Sequence, residues 1–225
     1  MFAYLQQPPP EEGNGIKSFV AAAVPMAVFH PISDPLDFML EAQPALNVGS
    51  RIVGSSAPAT WGVIFGDLGT PMNKLFYNKE NMDGGVLRDL FRLAEEEISP
   101  DQMKQLMNLV RTERFTSLDG AVDYTAALSK VVTPVYFLVG AVDNLAAVGS
   151  VQYSYRQVGS VAKQFRLFGR VNSYHRDYGH NDLIIGKQAR EDVYPTILEW
   201  LNRFPCLSTE GEFPLQPTPL NESQK

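Results

Sequence analysis

Val132-Thr-Pro-Val-Tyr-Phe-Leu-Val-Gly140 decides the fold. Its β-branched and aromatic residues leave almost no polar position, and it closes on glycine. That is the composition of a strand covered on both faces. Downstream, a helix is expected over about 147–159, a second strand over Lys163–Gly169, and a loop through Tyr178-Gly179-His180. A final helix starts after Asp182 or Gly186, with Val193, Ile197, Trp200 and Leu201 as its apolar stripe. Strand, helix, strand, loop, helix means βα units and a parallel sheet, so the class is α/β.

Upstream, Ile16–Pro25 is almost uniformly apolar after Lys17 and reads as another buried strand. Residues 1–7 form a helical fragment cut off by Pro8-Pro9-Pro10. Residues 30–75 are rich in Pro, Gly and Ser and carry no clear period. From residue 83 the pattern turns helical. Asp83 can cap a helix whose face is Val86, Leu87, Leu90 and Leu93. Ser99-Pro100 marks a second start, with Met103, Leu106, Met107 and Val110 on one stripe. A third helix is expected over Gly120–Lys130. These readings divide the chain into a helix and first core strand (1–29), a cap or lid region (30–130), an α/β core (131–203) and a tail (204–225).

The 225 residues carry 19 Lys and Arg against 25 Asp and Glu, a net charge of −6. That disfavours a nucleic-acid partner, which requires a basic face. With 44% hydrophobic and 20% charged residues, the chain has globular rather than disordered composition. Cys206 is the only cysteine, which excludes an internal disulfide and cysteine-based zinc motifs. Three histidines (His30, His175, His180) argue against a His-only metal cluster, so neither metal nor cofactor is expected. No run reaches the roughly 18–20 apolar residues of a membrane span. The N-terminus has no basic n-region of a signal peptide, so the cytoplasm is the default compartment for the chain as it stands.

Two residues could carry chemistry together. Asp143 follows Gly140 by three positions, at the carboxyl end of a strand, where open α/β sheets gather their ligand-binding loops. His180 lies 37 residues later, on the loop after the next strand. Loops from neighbouring strands can bring a carboxylate onto an imidazole nitrogen. That contact fixes the tautomer and leaves the other nitrogen free to accept a nucleophile's proton. Taken singly, Asp143 reads as a helix cap and His180 as a packed loop histidine.

Three segments together resemble the C-terminal part of the α/β-hydrolase superfamily: Pro134 to Leu145, Tyr178-Gly-His180-Asn-Asp182-Leu-Ile-Ile-Gly186, and Val193 to Leu201. His180, Asp182 and Gly186 look most like the lipase and esterase branch. The resemblance implies a partial hydrolase fold of about three parallel strands with flanking helices and a helical cap or lid between the first two. It implies a serine hydrolase acting on a carboxylic ester, with His180 as general base and Asp143 as its orienter. Asp182 and Tyr178 are then expected to support the base loop. Trp61, Phe65 and Leu90 are candidates for an apolar lid over an ester or lipid substrate.

The chain departs from the family at the nucleophile. It has no G-x-S-x-G: Ser50, Ser55, Ser150 and Ser160 stand beside glycine, but none has Gly at both −2 and +2. Ser160-Val-Ala-Lys163 matches S-x-x-K by residue type but falls between acid and base. Met1 accordingly reads as an internal methionine just after a lost elbow, from a truncated gene, a misassigned start or a trimmed chain. On that reading the chain alone is inactive. The strand at 16–24 would then have an uncovered edge, open to self-association or to an N-terminal half supplied in trans. The competing readings are a non-catalytic module or partner subunit, a complete small α/β protein, and a fragment of an Asp-nucleophile hydrolase of haloalkane or epoxide type.

Overall fold

A computed structural model of the chain describes residues 1–7, 16–27, 73–90 and 99–205. Among them, in chain order, are α1 (Phe2–Leu5), β1 (Phe19–Ala22), α2 (Asn73–Phe76), α3 (Gly84–Asp89), α4 (Pro100–Thr112), β2 (Val135–Gly140), α5 (Val148–Gln157), β3 (Lys163–Phe168), α6 (Asp182–Ile185), α7 (Ala189–Asp192) and α8 (Tyr194–Asn202). His30, Trp61, Phe65 and Cys206 lie outside the described residues. No described helix is long and apolar enough to cross a membrane.

The three strands form one parallel sheet in the order β1-β2-β3. All six residues of β2 are buried, as its unbroken apolar run required. Neighbouring residues on a strand point to opposite faces. Tyr136 meets Trp200 of α8 on one face, with ring centres 5.6 Å apart. Phe137 meets Phe2 of α1 and Tyr155 of α5 on the other, at 5.8 and 6.1 Å. Helices therefore cover both faces, and this sandwich is the main core.

The described part of the connection between β1 and β2 carries the helices α2, α3 and α4. Asp83 caps α3 by accepting from Gly85 and Val86 N–H. Those bonds hold its carboxyl below the usual range. Ser99 and Gln102 cap α4 reciprocally.

Four expectations need correction. β1 is four residues long, not ten; it ends before Ala23, a non-glycine residue at φ 52°. No helix spans 120–130: Asp123 and Asp119 accept backbone N–H groups in turns, and only Leu128–Lys130 makes a 3-10 turn. The final helix is three pieces, α6, α7 and α8, with Gly186 ending the first. Val193 and Trp200 of its stripe are buried, but Leu201 is exposed.

Candidate active site

β2 and β3 run in register, Gly140 opposite Phe168, so the loops after them leave from one edge of the sheet. The acid loop follows β2 and the base loop follows β3. The two loops touch through backbone: Val142 N–H donates to the Tyr178 carbonyl at 2.9 Å. Gly140 permits the crossing, because a Cβ there would lie 2.1 Å from the same carbonyl oxygen.

Asp143 Oδ2 lies 3.0 Å from His180 Nδ1. Asp143 Oδ1 accepts from Leu145 N–H at 2.9 Å and Ala146 N–H at 2.7 Å. One oxygen thus shapes the turn before α5 and the other is left to the imidazole. A carboxylate can only accept, so Nδ1 carries the proton in this contact and Nε2 is left as the acceptor. The Asp143 side chain is fully buried and that of His180 is 23% exposed, so the ring sits at the surface edge of a buried anion.

Asp182 accepts from three groups at once: Asn78 N–H, Gly179 N–H and the Asn81 amide. Burial raises its pKa above 3.8 in spite of these donors, which pull the other way. Tyr178 is fully buried and donates its hydroxyl to Asp192 Oδ2 at 2.9 Å. Burial, followed by that bond and the Asp192 charge, pushes the phenol up and keeps it a donor.

Leu90 packs against Tyr77, Met82 and Leu87 in a small satellite cluster, and Trp61 and Phe65 lie outside the described residues. Two buried serines of the described core are otherwise engaged. Ser154 Oγ accepts from Met26 N–H and donates to the Ser150 carbonyl, and Ser160 Oγ donates to the Ala162 carbonyl. Lys163 donates to the Val158 carbonyl, so the S-x-x-K residues make no pair. Among the described residues no three His, Cys, Asp or Glu side chains gather as a metal set.

Sequence reading missed a second contact. His175 Nδ1 lies 2.6 Å from Asp192 Oδ1, and His175 N–H donates to Asp192 Oδ2 at 3.0 Å. Asp192 ends a helix that the sequence pattern merged into its successor, so no spacing announced the pair.

A Mycobacterium tuberculosis protein assigned as a non-heme bromoperoxidase superposes with a TM-score of 0.50 at 12% identity, covering 84% of this chain and 59% of that one. The monoacylglycerol lipase of Paleococcus ferrophilus also gives 0.50, at 14% identity, with 91% and 64% covered. The chain has part of an α/β-hydrolase fold. It spans about three fifths of the length of these two proteins. No family model and no curated protein matches the sequence itself.

Proposed function

We propose that Asp143 and His180 are the acid and base of a serine-hydrolase site acting on a carboxylic ester, a lipid ester among the candidates. The observation that carries the reading is the Asp143–His180 contact on two loops from adjacent parallel strands. In the proposed reaction, His180 Nε2 takes the proton of a serine hydroxyl as it attacks the ester carbonyl. The buried Asp143 anion stabilises the imidazolium that results, and His180 returns the proton to the leaving alcohol. Water, its proton taken by His180, then attacks the acyl–serine ester; the bond to the serine oxygen breaks, His180 returns the proton to that oxygen, and the carboxylic acid leaves.

The nucleophile is proposed to stand on a G-x-S-x-G turn in a segment other than these 225 residues, since the sequence has no such motif. The free edge of β1 is the proposed meeting place for that segment, or for a second copy of the chain; among the described residues β1 pairs only with β2.

The test has two arms. The chain alone should hydrolyse p-nitrophenyl butyrate no faster than its His180→Ala variant, and a fluorophosphonate probe should label none of its serines. Joined in frame to a preceding coding segment that supplies G-x-S-x-G, it should turn over the ester in a His180-dependent way. Stoichiometric labelling of a serine within the 225 residues would overturn the placement of the nucleophile. Turnover indifferent to His180→Ala would overturn the reaction. Sedimentation at micromolar concentration reads the edge: a monodisperse monomer with cooperative unfolding would argue that β1 is already covered.

A further inference from the structure

The peptide between Tyr178 and Gly179, immediately before His180, is gripped from both sides. Its carbonyl accepts from Val142 N–H of the acid loop at 2.9 Å. Its N–H, that of Gly179, points at both oxygens of Asp182, 3.0 Å from each. The same carboxylate is fastened elsewhere: Asn78 N–H donates to Oδ1 at 2.9 Å and the Asn81 amide donates to Oδ2 at 2.9 Å. The segment that carries these asparagines, about 100 residues earlier in the chain, is itself strapped to the base loop. Asn181 N–H donates to the Phe76 carbonyl, Asn78 Nδ2 to the Asp177 carbonyl and Lys187 N–H to the Asn81 carbonyl, at 2.7–2.8 Å.

The approach is close enough to need glycine at two points. A Cβ on Gly179 would lie 2.8 Å from Asn78 N, and one on Gly186 would lie 2.7 Å from Asn81 Nδ2. Asn81 is fully buried, and among the described residues its Oδ1 has no hydrogen-bond partner. The amide is thus committed to Asp182 at the cost of leaving its own acceptor bare, a loss that general packing would not require.

We infer that Asp182, anchored on Asn78 and Asn81, is a positioning residue that fixes the Tyr178–Gly179 peptide against the acid loop and so holds the His180 ring on Asp143. Its importance for turnover rests on the ester-hydrolase reading; the contact it controls does not.

The test therefore reads His180 directly. In the 225-residue chain with 15N-labelled histidine, the three rings can be assigned by single substitution. His180 and His175 should each show a carboxylate-bonded Nδ1–H. Asp182→Ala and Asn81→Ala should erase the His180 signal or speed its exchange with water at least tenfold, while the His175 signal, held by Asp192, stays. Asp182→Asn should preserve it, because the Asn81 amide can turn its bare oxygen to the new NH2. Asn81→Asp sets two carboxylates face to face and should lose the signal; Asn81→Asp with Asp182→Asn should restore it.

If Asp182→Ala does not fold, Asn81→Ala and the paired exchange decide. A His180 signal unchanged in Asn81→Ala and Asn81→Asp overturns the inference, as does a loss shared equally by His175, which would mark a purely structural role. Failure of ester turnover in the chain joined to a G-x-S-x-G segment, with these signals intact, would sink the hydrolase reading and leave this one standing.

Discussion

Two His–Asp contacts have their histidines on the one connection after β3, and the shorter contact is the less suited to chemistry. Asp192 Oδ1 meets His175 Nδ1 at 2.6 Å, and Asp143 Oδ2 meets His180 Nδ1 at 3.0 Å. The two carboxylates are almost equally buried, 5% and 0% exposed. The rings differ: His175 is 65% exposed and His180 23%. So do the other duties of each acid. Asp192 also binds His175 N–H and the buried Tyr178 hydroxyl, so it nails one loop to the end of α7. Asp143 joins the ends of two strands and keeps one oxygen for the imidazole. A short distance to a ring this exposed contributes little, about 0–1 kcal/mol. What an acid can do for a histidine depends on where the second ring nitrogen faces and on what else the acid holds.

The largest expected effect separates the pairs by activity. In a chain completed with a nucleophile, His180→Ala should lower kcat by about 10^4-fold or more, since such residues act as a unit. His175→Ala should stay within about twofold. Asp143→Asn should lose about 10^4-fold by favouring the wrong tautomer. Rates with p-nitrophenyl butyrate check all three, and equal losses at His175 and His180 would erase the distinction.

Stability should reverse the ranking. Asp192→Ala strands the Tyr178 hydroxyl, fully buried, without its acceptor. The expected cost is about 3 kcal/mol, roughly 6–12 °C in Tm for a chain of this size. Asp143→Asn keeps an oxygen for Leu145 and Ala146 N–H and should cost under about 1 kcal/mol. Thermal unfolding measures both. A larger loss at Asp143 would mean that the acid loop, not the anchor, holds this end of the sheet together.

The sheet and the Asp143–His180 meeting could be read from sequence because both follow from local pattern. The Val135–Val139 run can only be a buried strand, and residues just past adjacent parallel strands converge whatever lies between. The Ser99 and Asp83 caps were equally local. Asp182 was expected to support the base loop, but its anchors on Asn78 and Asn81, and the Asp192 anchor, were not legible. Each depends on residues brought together by tertiary packing, Asn78 and Asn81 from 100 positions away and Asp192 from a helix broken at Gly186. The helix expected at 120–130 failed because Asp119 and Asp123 offer the backbone a turn in place of helical partners.

A gentler cut sharpens the anchor. Tyr178→Phe removes one donor from Asp192 but leaves it His175 N–H and the His175 ring. The expected cost is about 1 kcal/mol, a few degrees in Tm, with the His180 ring undisturbed. A shift of His180 in its NMR spectrum would show that the anchor and the candidate site are one unit rather than two.

The smallest effect is one of sign, and it concerns Asp182, a third buried acid beside these two. Burial raises its folded pKa above the ordinary 3.8, against the pull of the Asn78, Gly179 and Asn81 donors. Between 3.8 and that raised value the folded chain keeps a proton that the unfolded chain has released. Stability therefore falls as pH rises across this window, and the penalty is complete above it. Asp182→Asn has no such titration. Relative to the parent, its Tm should improve on going from pH 4 to pH 7. Asp83 supplies the opposite case on the surface, where the Gly85 and Val86 N–H groups lower its pKa. Its contribution is present above 3.8 and lost as pH falls through the lowered value, so Asp83→Asn should lose ground against the parent as pH rises to 4 and stay level with it from there to pH 7. If both substitutions drift in one direction, burial does not govern Asp182, and its carboxylate is set by its four hydrogen bonds as an exposed cap would be.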